Sequence, residues 1–235
     1  MSIDRGTIYR FTGGSAGTVA FLVLTNNQWN DCMESVAVVP LQPVDLASTM
    51  PTEPVITVGR PLRIVAGRVL NWSKDDLGTP LYVLENEKLA EVEDILVDVL
   101  ALQDLSTRPS RDPSSPPGPV DYPRWGEIYW AGERMEGERK RYVVVSNNYW
   151  NKDTKTAVMV RTTSQERRGG AFFPAIQQGR ARACCGNVTT FARAAVDLSG
   201  NRPFSGRLNL QDMIAVAEGL VDALELDQAL ERRFV

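Results

Sequence analysis

The sequence predicts a mainly β fold with terminal helices (α+β), built as two tandem small β domains. Two strings that each occur twice carry this reading, together with a proline-rich segment between the copies. In the second half Val143-Val144-Val145 runs into Asn147-Asn148-Tyr149-Trp150-Asn151. In the first half Phe21-Leu22-Val23-Leu24 runs into Asn26-Asn27-Gln28-Trp29-Asn30, 121 residues earlier. Likewise Leu96-Val97-Asp98-Val99-Leu100-Ala101-Leu102 returns as Leu220-Val221-Asp222-Ala223-Leu224-Glu225-Leu226. Self-similarity at an offset close to 120 residues marks a duplicated unit, and 235 residues divide comfortably into two domains.

The first half opens on Gly6-Thr7-Ile8-Tyr9-Arg10-Phe11, an alternating β-rich run, followed by Gly13-Gly14-Ser15-Ala16-Gly17. No Lys-Ser/Thr follows at phosphate-loop spacing, so these glycines read as a connection. Strands are expected near 19–25, 35–40 and 54–66, with short pieces at 68–72 and 81–84. A helix follows, capped by Asn86, with Leu89, Val92, Leu96 and Val99 forming one apolar stripe. Residues 104–122 hold Pro109, Pro113, Pro116, Pro117 and Pro119, which disfavour both helix and central strand. This segment reads as a linker between domains 1–103 and 123–235.

The second half restarts the programme at Gly126-Glu127-Ile128-Tyr129, with a charged loop over 132–140. A strand, a tight polar turn at Asn147 and a second strand come next. Further strands are expected near 171–176 and 187–191. Gly206-Arg207-Leu208 then leads into a helix over 210–226, with Met213, Ala217, Leu220 and Leu224 on one face.

Composition narrows the chemistry. With 43% hydrophobic and 23% charged residues the chain is that of a soluble globular protein. It has no apolar run of membrane-spanning length and its first ten residues are too polar for a signal peptide. A cytoplasmic protein without a membrane partner is expected. Three cysteines, two of them adjacent at Cys184-Cys185, form no disulfide framework, and no further ligands cluster beside them to bind a metal. The absence of histidine excludes imidazole zinc sites, Ser-His-Asp triads and histidine-pair ribonuclease chemistry. Residues 1–103 carry 7 Lys+Arg against 13 Asp+Glu, net −6, and residues 123–235 carry 17 against 13, net +4. Only the second half is charged to meet an anionic partner such as nucleic acid.

From Trp125 to Leu226 the order of motifs resembles the MazF/PemK family of mRNA-cleaving toxins. The shared features are a Gly-x-Ile-Tyr strand, a charged loop, a basic residue before a valine-rich strand ending Ser146-Asn147, a strand ending in threonine, and Gly206-Arg207-Leu208 before the last helix. The first half repeats these elements more faintly. The resemblance implies small, strongly bent β-barrel-like domains, and, with two copies in one chain, an intrachain pseudo-dimer. It also implies single-stranded RNA as substrate, an antitoxin as partner, and cleavage by attack of the RNA 2′-hydroxyl on the adjacent phosphate with no metal or other cofactor.

The family's catalytic arginine and threonine map by counting from Ser146. Six residues back lies Lys140, with Arg141 where the family usually has proline; Arg139 or Arg141 could take the role if the charged loop shifts by one residue. Seventeen residues on lies Thr163, with Thr162 as the one-residue alternative. Lysine supplies charge without the planar fork that grips a phosphate through two hydrogen bonds. Arg139, Arg161, Arg167 and Arg168 extend the basic surface for RNA. The same count from Thr25 gives Val19 and Gln42 in the first half, neither of which can stabilise a phosphorane. That copy is expected to be catalytically dead. The noncatalytic alternative is the same fold binding RNA, an antitoxin or another protein. Trp29 and Trp150, at matched positions, read as structural plugs or contacts between the halves.

Overall fold

The computed structural model describes residues 3–11, 18–44, 53–102, 122–132, 140–164, 170–177, 179–196 and 206–233. Two antiparallel sheets, one from each half, curl into half-barrels. The first contains β1 (Thr7–Arg10), β2 (Ala20–Val23), β3 (Ser35–Pro43), β4 (Val55–Val58), β5 (Arg60–Ile64), β6 (Leu70–Ser73) and β7 (Pro80–Val83). Its order is β4-β5-β3-β2-β1-β7, with β6 also on β3. The second contains β8 (Ile128–Ala131), β9 (Lys140–Val144), β10 (Thr156–Thr163), β11 (Ala175–Ile176) and β12 (Ala181–Ala192), in the order β11-β12-β10-β9-β8. The helices are α1 (Asn27–Cys32), α2 (Asn86–Val99), α3 (Asn148–Thr154), α4 (Leu210–Leu224) and α5 (Asp227–Arg233).

The register repeats with the sequence. Ile8 faces Leu22 and Leu22 faces Val39; 120 or 121 residues on, Ile128 faces Val143 and Val143 faces Val160. The expected strand over 54–66 is two strands, broken at Gly59, whose φ of 69° is costly for any other residue. In the second half the strand expected at 187–191 extends back to Ala181, so that β12 alone does the work of β5 and β6. The strand expected at 171–176 shrinks to Ala175–Ile176. The 104–122 segment lies outside the described residues, apart from its last residue, Tyr122.

The tight polar turns are in fact short helices. Asn26 caps α1 by accepting the Trp29 amide at 2.7 Å, and Asn147 caps α3 by accepting the Trp150 amide at 2.7 Å. Behind the caps, Thr25 Oγ1 donates to Asn30 Oδ1 at 2.6 Å, and Ser146 and Asn151 repeat the pair. Asn86 is the first residue of α2 and not its cap; Glu85 holds that position without a side-chain bond.

One core serves both halves. Ile8, Leu22, Leu41 and Leu96 join Val143, Val158, Val188 and Leu220 in a single apolar cluster lined by one face of each sheet and by α2 and α4. Contacts across the junction are reciprocal. The Asn26 amide and side chain donate to Ala223 O at 2.8 Å and Asp222 O at 2.6 Å, closing the carbonyl end of α4. Asn147 does the same to Val99 O at 2.9 Å and Asp98 O at 2.8 Å at the end of α2. Each half therefore satisfies the orphan carbonyls of the other half's helix. Arg5 adds a buried tie, lying 3.0 Å from Glu93 while donating to Leu224 O at 2.5 Å. Its counterpart in the repeat, Trp125, joins the apolar core instead.

Candidate functional site

The pleat of β9 and β10 sorts the site residues before any side chain is considered. Val143, Val145, Val158 and Val160 point into the shared core. Tyr142, Val144, Ala157 and Met159 form a separate cluster on the opposite face. By alternation, Lys140, Arg161 and Thr163 lie on that second face with Tyr142, whereas Arg141 and Thr162 lie on the core side.

The ladder brings the first group together. Arg161 faces Tyr142 across β9–β10, and carrying that register two residues further sets Thr163 opposite Lys140. Across β10–β12, Arg161 faces Cys184 and Thr163 faces Arg182. Ala131 pairs with Lys140, and Thr163 pairs with Arg182, which pairs with Ala175; the extended register joins these two runs into one row across the second sheet. Lys140, Arg161, Thr163 and Arg182 are all half-buried.

The alternatives sit elsewhere. Thr162 is buried and its hydroxyl donates to Arg141 O at 3.1 Å, tying β10 to β9. The Arg141 guanidinium lies 6.0 Å from the Trp130 ring centroid, at the limit of a cation–π contact. Arg139, Arg167 and Arg168 lie outside the described residues.

The site face abuts the junction of the halves. Cys184 belongs to the cluster around Trp29 of the first half, where Phe173 stacks on the indole at 5.4 Å and 26°. Trp29 is fully buried and its Nε1 donates to Ser35 O at 2.9 Å, so it is a plug. A cleft of ≈ 440 Å³ opens beside it, lined by Met33, Phe172 and Asp222 among others. Trp150 packs over Gly67 of the first half.

Burial raises the Tyr142 phenol above its usual range, an effect the neighbouring Arg161 charge opposes. Burial, then the hydrogen bond to Glu127, holds the Tyr129 phenol well above its usual range. Both phenols are therefore neutral donors at physiological pH. Among the described residues no group of three or more His, Cys, Asp or Glu side chains could hold a metal ion, and no helix is long and apolar enough to cross a membrane.

In the first half the corresponding row is Val19, Gln42, Arg63 and Val55. Val19 packs against the core, Gln42 faces Arg63, and the Arg63 Nε lies 2.9 Å from Glu53 Oε2, a charge contact outside hydrogen-bond geometry. Counting from Ser146 reaches Lys140 and Thr163 but not Tyr142 or Arg182, whose only signal in the sequence is strand alternation.

No family model matches the sequence, and no curated protein matches it. Several solved structures do. A mycobacterial endoribonuclease in complex with its cognate antitoxin is 23% identical, with a TM-score of 0.39, and the match covers 44% of this chain and 95% of that one. MazE–MazF from Deinococcus radiodurans gives 14% identity and a TM-score of 0.36, over 43% of this chain and 94% of that one. Toxin MazF-mt6 of Mycobacterium tuberculosis gives 16% and 0.35, over 43% and 98%. At these identities and scores the likenesses assign no activity and no residue role. Each takes in nearly all of a solved chain and less than half of this one.

Proposed function

We propose that this protein is a toxin-like endoribonuclease that cleaves single-stranded RNA, with one working site in the second half and a degenerate copy in the first, the halves corresponding to domains 1–103 and 123–235. The observation that carries the reading is the pairing of Arg161 with Tyr142 across β9–β10, which by strand alternation sets Lys140 and Thr163 on the same face two residues further along each strand. In this reading the RNA 2′-oxygen bonds to phosphorus as it loses its proton, and the P–O5′ bond breaks as the departing 5′-oxygen gains one. The products are a 2′,3′-cyclic phosphate and a 5′-hydroxyl. The Lys140 ammonium balances the developing charge and can hand its proton to the leaving oxygen, while the Thr163 hydroxyl donates to a phosphate oxygen. No step calls for a metal. Arg161, with Arg139, Arg167 and Arg168, would hold the flanking phosphates.

An antitoxin segment is the protein partner consistent with this reading. The replacement of the expected arginine by Lys140 favours a second reading, a noncatalytic module of the same fold that binds RNA or an antitoxin. Incubating the purified chain with end-labelled single-stranded RNA in EDTA separates the two. The nuclease reading expects fragments with cyclic phosphate ends and no cutting of the 2′-O-methyl RNA. Intact RNA that is nonetheless bound by the protein favours the binding module.

A further inference from the structure

We infer that Arg182 is a second phosphate-gripping cation of this site and supplies the two-pronged contact that Lys140 cannot make. The inference rests on the endoribonuclease reading and deepens it. Arg182 and Thr163 are directly paired across β10–β12, on the face that carries Lys140 and Arg161. Neighbouring strands are spaced by roughly 4.8 Å, so Lys140 and Arg182 flank Thr163 from either side at about 10 Å backbone separation. A phosphodiester over Thr163 falls within reach of both long side chains.

The guanidinium is also oriented. Its Nη1 donates to Phe173 O at 3.1 Å, and the Phe173 ring stacks on Trp29 of the first half. Among the described residues no carboxylate lies within ion-pair distance of Arg182, and its remaining N–H groups have no partner. One edge of the fork is thus held by the junction while the other can bind two phosphate oxygens, the geometry for which arginine surpasses lysine.

The duplicated half supplies an internal contrast. Arg63 holds the same place in the first row, opposite Gln42, but is buried and neutralised by Glu53. The arginine is tied up where the lysine and threonine are missing, and where they are present it has no carboxylate partner among the described residues. Arg182 makes and breaks no covalent bond and stays protonated throughout; it offsets charge on the two non-bridging oxygens as phosphorus becomes five-coordinate.

The test uses the full chain with Arg182→Gln, which keeps a donor for Phe173 O without the charge, and Arg182→Lys, which keeps the charge without the fork. Three quantities are read: kcat and KM for single-stranded RNA in EDTA, and the salt slope of binding to the same RNA carrying 2′-O-methyl groups. Arg182→Gln should lower kcat roughly a hundredfold and reduce the salt slope by about 1. Arg182→Lys should recover the slope but not the rate. Wild-type cleavage together with an unimpaired Arg182→Gln variant overturns this inference and leaves the nuclease reading standing. Binding without wild-type cleavage overturns the nuclease reading, and Arg182 is then judged by the salt slope alone, where an unchanged value refutes it. If Arg182→Gln fails to fold, the Arg182→Lys rate decides, and a wild-type value refutes the role of the fork.

Discussion

The indole of Trp29 lies so close over Gly186 that a Cβ on residue 186 would meet its ring carbons at 2.3, 2.4 and 2.7 Å. The reciprocal pair has a Cβ on Gly67 meeting Trp150 at 2.3 and 2.5 Å. Each tryptophan comes from one half and each glycine from the other, so the two halves are locked by the same device used twice. The locks are unequally rigid: Trp29 is fully buried and hydrogen-bonded, whereas Trp150 is half-buried and its Nε1 has no partner among the described residues.

Gly186→Ala should therefore cost about 1–3 kcal/mol, in the range of overpacked cores. Gly67→Ala should cost less, because Trp150 can shift. Urea midpoints of the two variants measure this. Equal losses, or a harmless Gly186→Ala, would contradict the unequal-lock account.

Asn26 and Asn147 each do two jobs, and substitution can separate them. Asparagine to alanine removes both the cap and the bond to the other half's helix, for an expected loss of about 2 kcal/mol. Asparagine to aspartate keeps the cap but loses the Nδ2 donor and sets a carboxylate against the carbonyl end of α4 or α2, where negative charge is unfavourable. The aspartate variants should therefore also be destabilised, and more so at low salt. Aspartate variants as stable as wild type in denaturant titrations would show that the bonds across the junction contribute nothing.

Alkaline pH should weaken the fold. Tyr129, Tyr142 and Cys185 all have raised pKa values, chiefly through burial. The unfolded chain releases these protons near pH 9 to 10 while the folded chain retains them, so stability is fully present below that window and falls as pH rises through it. With no histidine, no imidazole adds a transition between pH 6 and 8. Tyr129→Phe should flatten part of the alkaline decline, as read from urea midpoints across pH 7–11; an unchanged slope in this variant would remove Tyr129 from the account.

Much of the fold was legible because the same residues solve the same problem twice. Asn26 and Asn147 must be asparagine to cap one helix and close another, so the motif survives in both halves. Residue counting points to Lys140 and Thr163 separately, and only the pairing of Tyr142 with Arg161 relates the two strands that carry them. The helices α1 and α3 read as turns in the sequence because six or seven residues are too few to show helical periodicity. Glu85 and Asn86 are both polar, and only backbone geometry chooses between them as the α2 cap. Helix α5 has no signal in the local sequence; it is fixed by Arg232 and Arg233 meeting Glu93, Asp94 and Asp98 on α2, contacts more than 130 residues apart in sequence. Arg182 is likewise silent in the sequence, since it sits between two alanines and meets Thr163 only through strand pairing.

The central claim is that the second half alone holds a cleavage site. The most direct measurement is the rate of single-stranded RNA cleavage in EDTA by Thr163→Val and Gln42→Ala, the matched positions of the two halves, beside wild type. Valine keeps the shape of threonine without its hydroxyl. Thr163→Val should lose most activity with its thermal midpoint preserved, roughly a hundredfold or more as for a removed transition-state donor, while Gln42→Ala should match wild type. Full activity in Thr163→Val, or its loss in Gln42→Ala, would contradict the claim.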